Sequence, residues 1–159
     1  MGISYVIGDA TYPVGSGTKV IVHVCNDVGA WGKGFVLALS KRWKAPETMY
    51  MDWYKGRCDI SFTLGEVQFV KVEDDIYVAN VIGQKGLRKV GGIPPVRYNA
   101  IEEGLRKVAD FAIEDKASIH MPRIGCGLAG GSWDKVEDII NKELIARSIP
   151  VTVYDYRLK

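Results

Sequence analysis

Twice in this chain an apolar run leads into a glycine-rich loop and then into a helix-patterned segment. This repeat constrains the fold more than any other feature. The first copy is residues 20–25, then Gly29-Ala30-Trp31-Gly32-Lys33-Gly34, then residues 35–43. The second is residues 118–121, then the loop 125–131, then residues 133–144. A nearly continuous apolar run such as 20–25 fits a strand covered on both faces. Glycine in the loop lets the backbone turn at positive φ and lets a ligand approach the N–H groups closely. The following helix presents unpaired N–H groups and the positive end of its dipole, which favours an anion by about 0.3–1 kcal/mol. Two such loops at neighbouring strand ends can hold a diphosphate from both sides.

The rest of the pattern sets the fold class. Residues 4–7 read as a strand, and Pro46 suits the first turn of a helix running to about Tyr54. Residues 65–72 and 76–82 are β-rich and joined by the acidic turn Glu73-Asp74-Asp75, a hairpin pattern. Apolar residues at Tyr98, Ile101, Leu105, Val108 and Ala112 form a helical stripe within 97–114, and 151–156 reads as the last strand. Between them, residues 83–95 hold four glycines and two prolines with no clear periodicity. Helices interleaved with strands, plus one hairpin, imply a three-layer α/β domain with a mixed sheet. Gly125, Gly127 and Gly130 also match G-x-G-x-x-G, the dinucleotide-binding pattern. That pattern normally opens the first βαβ unit, whereas here a single strand remains after it.

Composition removes several function classes. A chain of 159 residues is long enough for one ordinary core. A net charge of +2, with basic residues clustered no further than pairs such as Lys41-Arg42 and Arg88-Lys89, argues against nucleic acid as partner. No apolar run approaches the roughly 18–20 residues of a membrane helix. The opening Met1-Gly2-Ile3-Ser4-Tyr5 runs straight into a strand pattern and does not resemble a signal peptide. With three cysteines, Cys25, Cys58 and Cys126, that cannot all pair, a cytoplasmic protein with reduced thiols is expected. His23, Cys25 and His120 would make an unusual zinc set, so no metal is expected.

Several side chains have two readings. Asp9 can accept a hydrogen bond from an exocyclic amine such as adenine N6, or cap a turn, and the cap is favoured on chemistry alone. Tyr154 and Tyr156 can flank a base or ribose, or belong to the core. Cys126 at a helix N-terminus can have a lowered thiol pKa, or be a small residue filling a tight loop. His23 is a proton carrier or a buried, hydrogen-bonded strand residue. The 83–95 loop carries Gln84, Lys85, Arg88 and Lys89, groups suited to the mouth of a phosphate or ribose pocket.

Together these segments resemble a known family. Gly8-Asp9-Ala10-Thr11 resembles the GD-[I/A]-T stretch that opens macro domains. Val22-His23-Val24-Cys25-Asn26-Asp27 with Gly29-Ala30-Trp31-Gly32-Lys33-Gly34-Phe35 resembles their first phosphate loop. Met121-Pro122-Arg123-Ile124-Gly125-Cys126-Gly127-Leu128 followed by Trp133 looks like the second, and Val151-Thr152-Val153-Tyr154 like the last strand. The resemblance covers essentially the whole chain, in order. It implies one macro domain over 1–159, a three-layer α/β/α fold around a mixed six-stranded sheet, and no cofactor. Within the family the likeness is to the branch containing the terminal ADP-ribose protein glycohydrolase and the ADP-ribose-1″-phosphate phosphatase.

That resemblance implies residue roles. Asp9 would contact adenine N6, with Ala10 supplying backbone, and Tyr154 would pack near the adenosine end. Gly32, Lys33, Gly34 and Phe35 would line one side of the diphosphate; Ile124, Gly125, Cys126, Gly127 and Leu128 would line the other. Asn26 would face the distal ribose and, with His23 and Lys85, form the catalytic set. The chain departs from the glycohydrolases at Ala129, where they carry an aspartate, and Lys85 only approximates the position of their nucleophilic lysine. His23 matches a histidine of the phosphatase-like members. The expectation is a monomeric ADP-ribose-binding hydrolase acting on ester-linked protein or small-molecule adducts. The alternatives are a non-enzymatic ADP-ribose reader and a 1″-phosphate phosphatase; a nicotinamide-dinucleotide enzyme ranks last.

Overall fold

A computed structural model describes residues 2–156, so Met1 and residues 157–159, the two ends of the expected 1–159 domain, lie outside it. The strands are β1 (Ser4–Ile7), β2 (Lys19–Asn26), β3 (Val67–Glu73), β4 (Ile76–Gln84), β5 (Ser118–Met121) and β6 (Val151–Asp155). The helices are α1 (Phe35–Arg42), α2 (Ala45–Tyr54), α3 (Tyr98–Asp115) and α4 (Trp133–Glu143). The strands form one six-stranded sheet in the order β1-β6-β5-β2-β4-β3. Every neighbouring pair is parallel except the β3–β4 hairpin.

Side-chain alternation along β2 creates the three layers. Val20 and Val22 join the core under α3 and α4, which includes Ile101, Leu105, Val108, Val136 and Ile140. Ile21 and Cys25 point the other way, into the core with Leu39 of α1 and Tyr50 and Trp53 of α2. A strand sandwiched in this way is apolar on both faces, which explains the run of valine and isoleucine, interrupted only by His23 before Cys25. Burying side chains such as Leu105 or Trp53 completely contributes on the order of 1.5–3 kcal/mol each.

The two cores differ in chemistry. The α3/α4 side is aliphatic. The α1/α2 side encloses a polar chain in which His23 Nε2 lies 2.5 Å from Asn80 Oδ1, while Asn80 Nδ2 donates to Gln68 Oε1 (3.0 Å) and to the carbonyl of Pro46 (3.2 Å). Gln68 Nε2 in turn donates to the carbonyl of Met49 (2.8 Å). The chain therefore ties β2, β3 and β4 to the first turn and middle of α2. No helix among the described residues is long and apolar enough to cross a membrane.

Candidate functional site

β2 and β5 are parallel neighbours, and the chain continues from them to opposite sides of the sheet. The crevice beyond the carboxyl ends of such strands is where open α/β sheets bind ligands. Loop 1 (residues 27–34) and loop 2 (residues 122–132) both leave from that edge. They meet: a Cβ built on Gly34 would lie 3.6 Å from Cδ1 of Leu128.

Loop 1 is organised by one amide. Asn26 Oδ1 accepts the N–H groups of Val28 (3.0 Å) and Ala30 (3.1 Å), and Asn26 Nδ2 donates to the carbonyl of Ala30 (2.8 Å). The hydroxyl of Tyr50 reaches both oxygens of Asn26, the backbone one at 2.7 Å and the side-chain one at 2.9 Å. Tyr50 is fully buried, and burial raises its pKa, which keeps the hydroxyl protonated as a donor. With the 28–30 turn fixed, the next stretch is free for a ligand. Among the described residues the N–H groups of Gly32, Lys33 and Gly34 donate to no carbonyl or side chain. Gly34 sits at φ 83°, where a Cβ is strained, and caps α1 without a side-chain hydrogen bond.

Loop 2 is held by its own backbone. Gly131 N donates to Gly125 O (2.7 Å), Gly130 N to Gly127 O (3.1 Å) and Cys126 N to Arg123 O (3.3 Å). A Cβ at Gly131 would land on the Gly125 carbonyl, so the closure requires glycine. Nothing lies within 4 Å of a Cβ built at Gly127 or Gly32, which leaves open space above both loops. The N–H groups of Gly127, Leu128 and Ala129 donate to no described group. The hydroxyl of Tyr98 accepts from Ser132 N (2.8 Å) where α4 begins. Arg123 is anchored away from the loop by a bidentate pair with Asp155 (2.7 and 3.0 Å).

Beside the loops a cavity of about 250 Å³ opens, lined among others by Gly8, Asp9, Ala10, Phe35, Tyr154 and Tyr156. Asp9 Oδ1 accepts from the N–H (2.9 Å) and hydroxyl (2.8 Å) of Thr11, so the turn-capping reading holds for that oxygen. The Tyr154 hydroxyl accepts from Val14 N (2.9 Å) and lies 2.7 Å from His120 Nδ1, whose Nε2 lies 2.8 Å from Ser118 Oγ. On the rim, Arg42 stacks between Tyr12 (3.9 Å) and Trp43 (4.3 Å) and donates to the carbonyl of Thr11 and to Glu73. Phe35 opens α1 and Pro122 opens loop 2, and both also line this cavity, so it is continuous with the space between the loops.

Of the three residues expected to be catalytic, the structure brings Asn26 and the Lys85 segment to the same end of the crevice and leaves His23 in the core. His23 is 2% exposed, on the core face of β2 among Trp31 and Phe35, and does not line the cavity. Asn80 uses its NH₂ on Gln68 and Pro46, so its oxygen faces His23 and the imidazole donates from Nε2. Burial lowers the His23 pKa to about 4, partly offset by that bond to Asn80. His23 thus sits as a buried, hydrogen-bonded strand histidine, the second of its two readings. Asn26 lies at the crevice but is largely engaged by loop 1. Lys85 is exposed just past β4; its neighbour Gly86 donates its N–H to Asp27 Oδ1 (2.8 Å), which places this segment against loop 1. Cys126, in loop 2, has its thiol pKa raised by burial, with Arg123 opposing, so the small-residue reading fits better than the reactive one. Sequence reasoning misses Tyr50, Asn80, Gln68 and Tyr98, because a hydroxyl or amide inside a helix or strand pattern carries no local signal of its long-range partner.

A mixed six-stranded sheet between two helical layers, with two amide-lined glycine loops over adjoining parallel strands, defines a three-layer α/β domain whose crevice is suited to an anion. Solved structures narrow the class. A macrodomain protein from Streptomyces coelicolor is 55% identical, with 98% of this chain and 99% of that one covered at a TM-score of 0.87. The chain belongs to the macrodomain family. A protein from Bacteroides thetaiotaomicron is 62% identical over 98% of both chains, at a TM-score of 0.94. No family model matches the chain. Among curated relatives, the mouse chromodomain-helicase-DNA-binding protein 1-like is 35% identical over 96% of this chain, which spans only 17% of that protein. The ADP-ribose 1″-phosphate phosphatase of Candida albicans is 26% identical, covering 88% of this chain and 92% of that protein.

Proposed function

We propose that this macrodomain binds ADP-ribose, one molecule per chain, and hydrolyses ADP-ribose adducts. The observation that carries this reading is the pair of facing loops with uncommitted N–H groups, at Gly32–Gly34 and at 127–129, beside a cavity of about 250 Å³. A diphosphate between the loops would be solvated by backbone dipoles from both sides. The adenosine end would enter the cavity, with the second carboxylate oxygen of Asp9 directed to adenine N6 and Tyr154 as its wall. The phosphatase name carried by the Candida albicans relative supports the same ligand. The free thiols of Cys25, Cys58 and Cys126 fit a cytoplasmic setting.

For catalysis we rank attack by water above a covalent route. Asn26 Nδ2 carries a second hydrogen beyond the one on Ala30, which can hold a hydroxyl of the distal ribose. The substrate's own phosphate would orient the water. Lys85 lies next to loop 1 as the remaining candidate nucleophile, and Ala129 supplies no carboxylate to open the sugar. His23 would act by positioning α2 and hence Tyr50, not by moving protons. A reader without catalysis is the second reading, favoured by one observation: the Asn26 oxygen is fully engaged and His23 is buried.

The test has two stages. Calorimetry should give one-to-one binding of ADP-ribose, tighter than NAD; equal or tighter NAD binding refutes the ligand assignment. A panel of serine-linked, glutamate-linked and 1″-phosphate substrates then separates hydrolase from reader. Turnover of any of them that drops in Asn26→Ala or Lys85→Ala supports the hydrolase, and no turnover at all leaves the reader.

A further inference from the structure

Residues 84–96 form a hairpin lip whose base is bonded to both loops. Val90 and Ile93 exchange both backbone hydrogen bonds at 3.0 Å across Gly91 (φ 59°) and Gly92 (φ 79°), the geometry of a two-residue type I′ hairpin turn. The base of the lip is tied to both loops. Gly86 N donates to Asp27 Oδ1 (2.8 Å) at loop 1, and Val96 N donates to Ala129 O (3.0 Å) at loop 2. Lys85 N to Pro95 O (2.8 Å) closes the neck. The hairpin base thus lies on the β4 side of the loops, and none of its residues lines the cavity that holds Tyr154.

Its surface is unusual for this chain. Leu87, Val90 and Ile93 are 54%, 75% and 61% exposed. Val90 and Ile93 are a directly opposed pair, so their side chains share one face of the hairpin. Between Gly83 and Arg97 there is no acidic residue, while Lys85, Arg88 and Lys89 are all exposed and form no ion pair among the described residues. These three charges exceed the net +2 of the whole chain. An apolar face beside uncompensated cations complements a polypeptide that offers carboxylates and an apolar side chain. A nucleic-acid strand would satisfy the cations but leave Val90 and Ile93 facing a sugar-phosphate backbone.

We propose that this lip is a docking surface for the polypeptide that carries the ADP-ribose, and that it favours acidic segments containing an apolar residue. The inference rests on ADP-ribose occupying the crevice, because only then does the modified side chain leave past the lip. Modified acidic peptides bind more tightly than free ADP-ribose, and the extra affinity falls with salt as exposed ion pairs are screened.

The experiment measures dissociation constants for free ADP-ribose, an ADP-ribosylated acidic peptide, the unmodified peptide and an ADP-ribosylated oligonucleotide. The proteins are wild type, R88E/K89E and V90S/I93S, with melting curves to verify folding. Expected are free ADP-ribose constants within about twofold of wild type for both variants. The modified peptide weakens roughly tenfold in R88E/K89E and about threefold in V90S/I93S. Equal weakening of ADP-ribose and peptide, an unchanged peptide constant, or a preference for the oligonucleotide each overturns the proposal while ADP-ribose binding stands. If wild type binds no ADP-ribose, the underlying reading fails and takes the proposal with it.

Discussion

Loop 1 is shaped by side chains and loop 2 by its own main chain, although both present free N–H groups to the same space. In loop 1 a single asparagine, held by Tyr50 from α2, substitutes for missing backbone partners. In loop 2 the turn closes main chain to main chain, through Gly131 onto Gly125, and side chains enter only at its ends, from Arg123 and from Tyr98 on Ser132 N. The first arrangement makes loop geometry depend on how α2 seats against the sheet. The second makes it depend on the absence of a Cβ. Equivalent surfaces therefore have unlike vulnerabilities, and substitutions can tell them apart.

The largest effect is expected at Gly127→Glu. Open space surrounds its Cβ position, so the variant should fold, yet the carboxylate enters the phosphate space and ADP-ribose binding by calorimetry should fall more than about 100-fold. Wild-type affinity there would remove loop 2 from the site. Next comes Asn26→Ala, which strips partners from Val28, Ala30 and Tyr50 at once. It should cost about 2–4 kcal/mol in denaturant unfolding and weaken the ligand by tenfold or more. Tyr50→Phe keeps the ring and should cost about 1–2 kcal/mol, with faster amide exchange in residues 28–30 and none in 127–130. Equal exchange in both loops would mean they are not independently held.

Acidification gives a smaller, graded effect. Burial takes His23 and His120 from 6.5 to about 4, with Lys19 adding to the shift at His120. The unfolded chain then binds more protons between those values. Stability is fully present above about pH 6.5 and declines as pH falls toward 4. Replacing His120 with phenylalanine should flatten that slope in pH-dependent melting; an unchanged slope would place the titration elsewhere. Least of all, Leu128→Ala on exposed loop 2 should shift stability by no more than about 0.5 kcal/mol.

Periodicity and glycine spacing make the layers, the strands and both loops legible, because those patterns record local constraints. The helix stripe at Ile101, Leu105 and Val108 and the nearly continuous β2 run correspond directly to buried faces. The 83–95 segment reads as irregular, although Val90-Gly91-Gly92-Ile93 is itself a type I′ turn pattern; two residues on each side are too few for alternation to register. His23 carries two readings in sequence because a strand histidine looks the same whether its partner is substrate or Asn80. Only the third dimension supplies Asn80, 57 positions away.

The polar chain from His23 through Asn80 and Gln68 to the carbonyls of Pro46 and Met49 acts as a depth gauge for α2. Oily contacts tolerate a helix sliding by a fraction of an ångström, whereas a line of directional bonds accepts one seating. Stability and accuracy are thus separable in this layer. Combining His23→Phe, Gln68→Leu and Asn80→Leu should give a protein that melts no lower than wild type, since apolar replacement of a buried polar set is often neutral or better. It should nevertheless bind ADP-ribose more weakly, because Tyr50 would meet Asn26 from a blurred position.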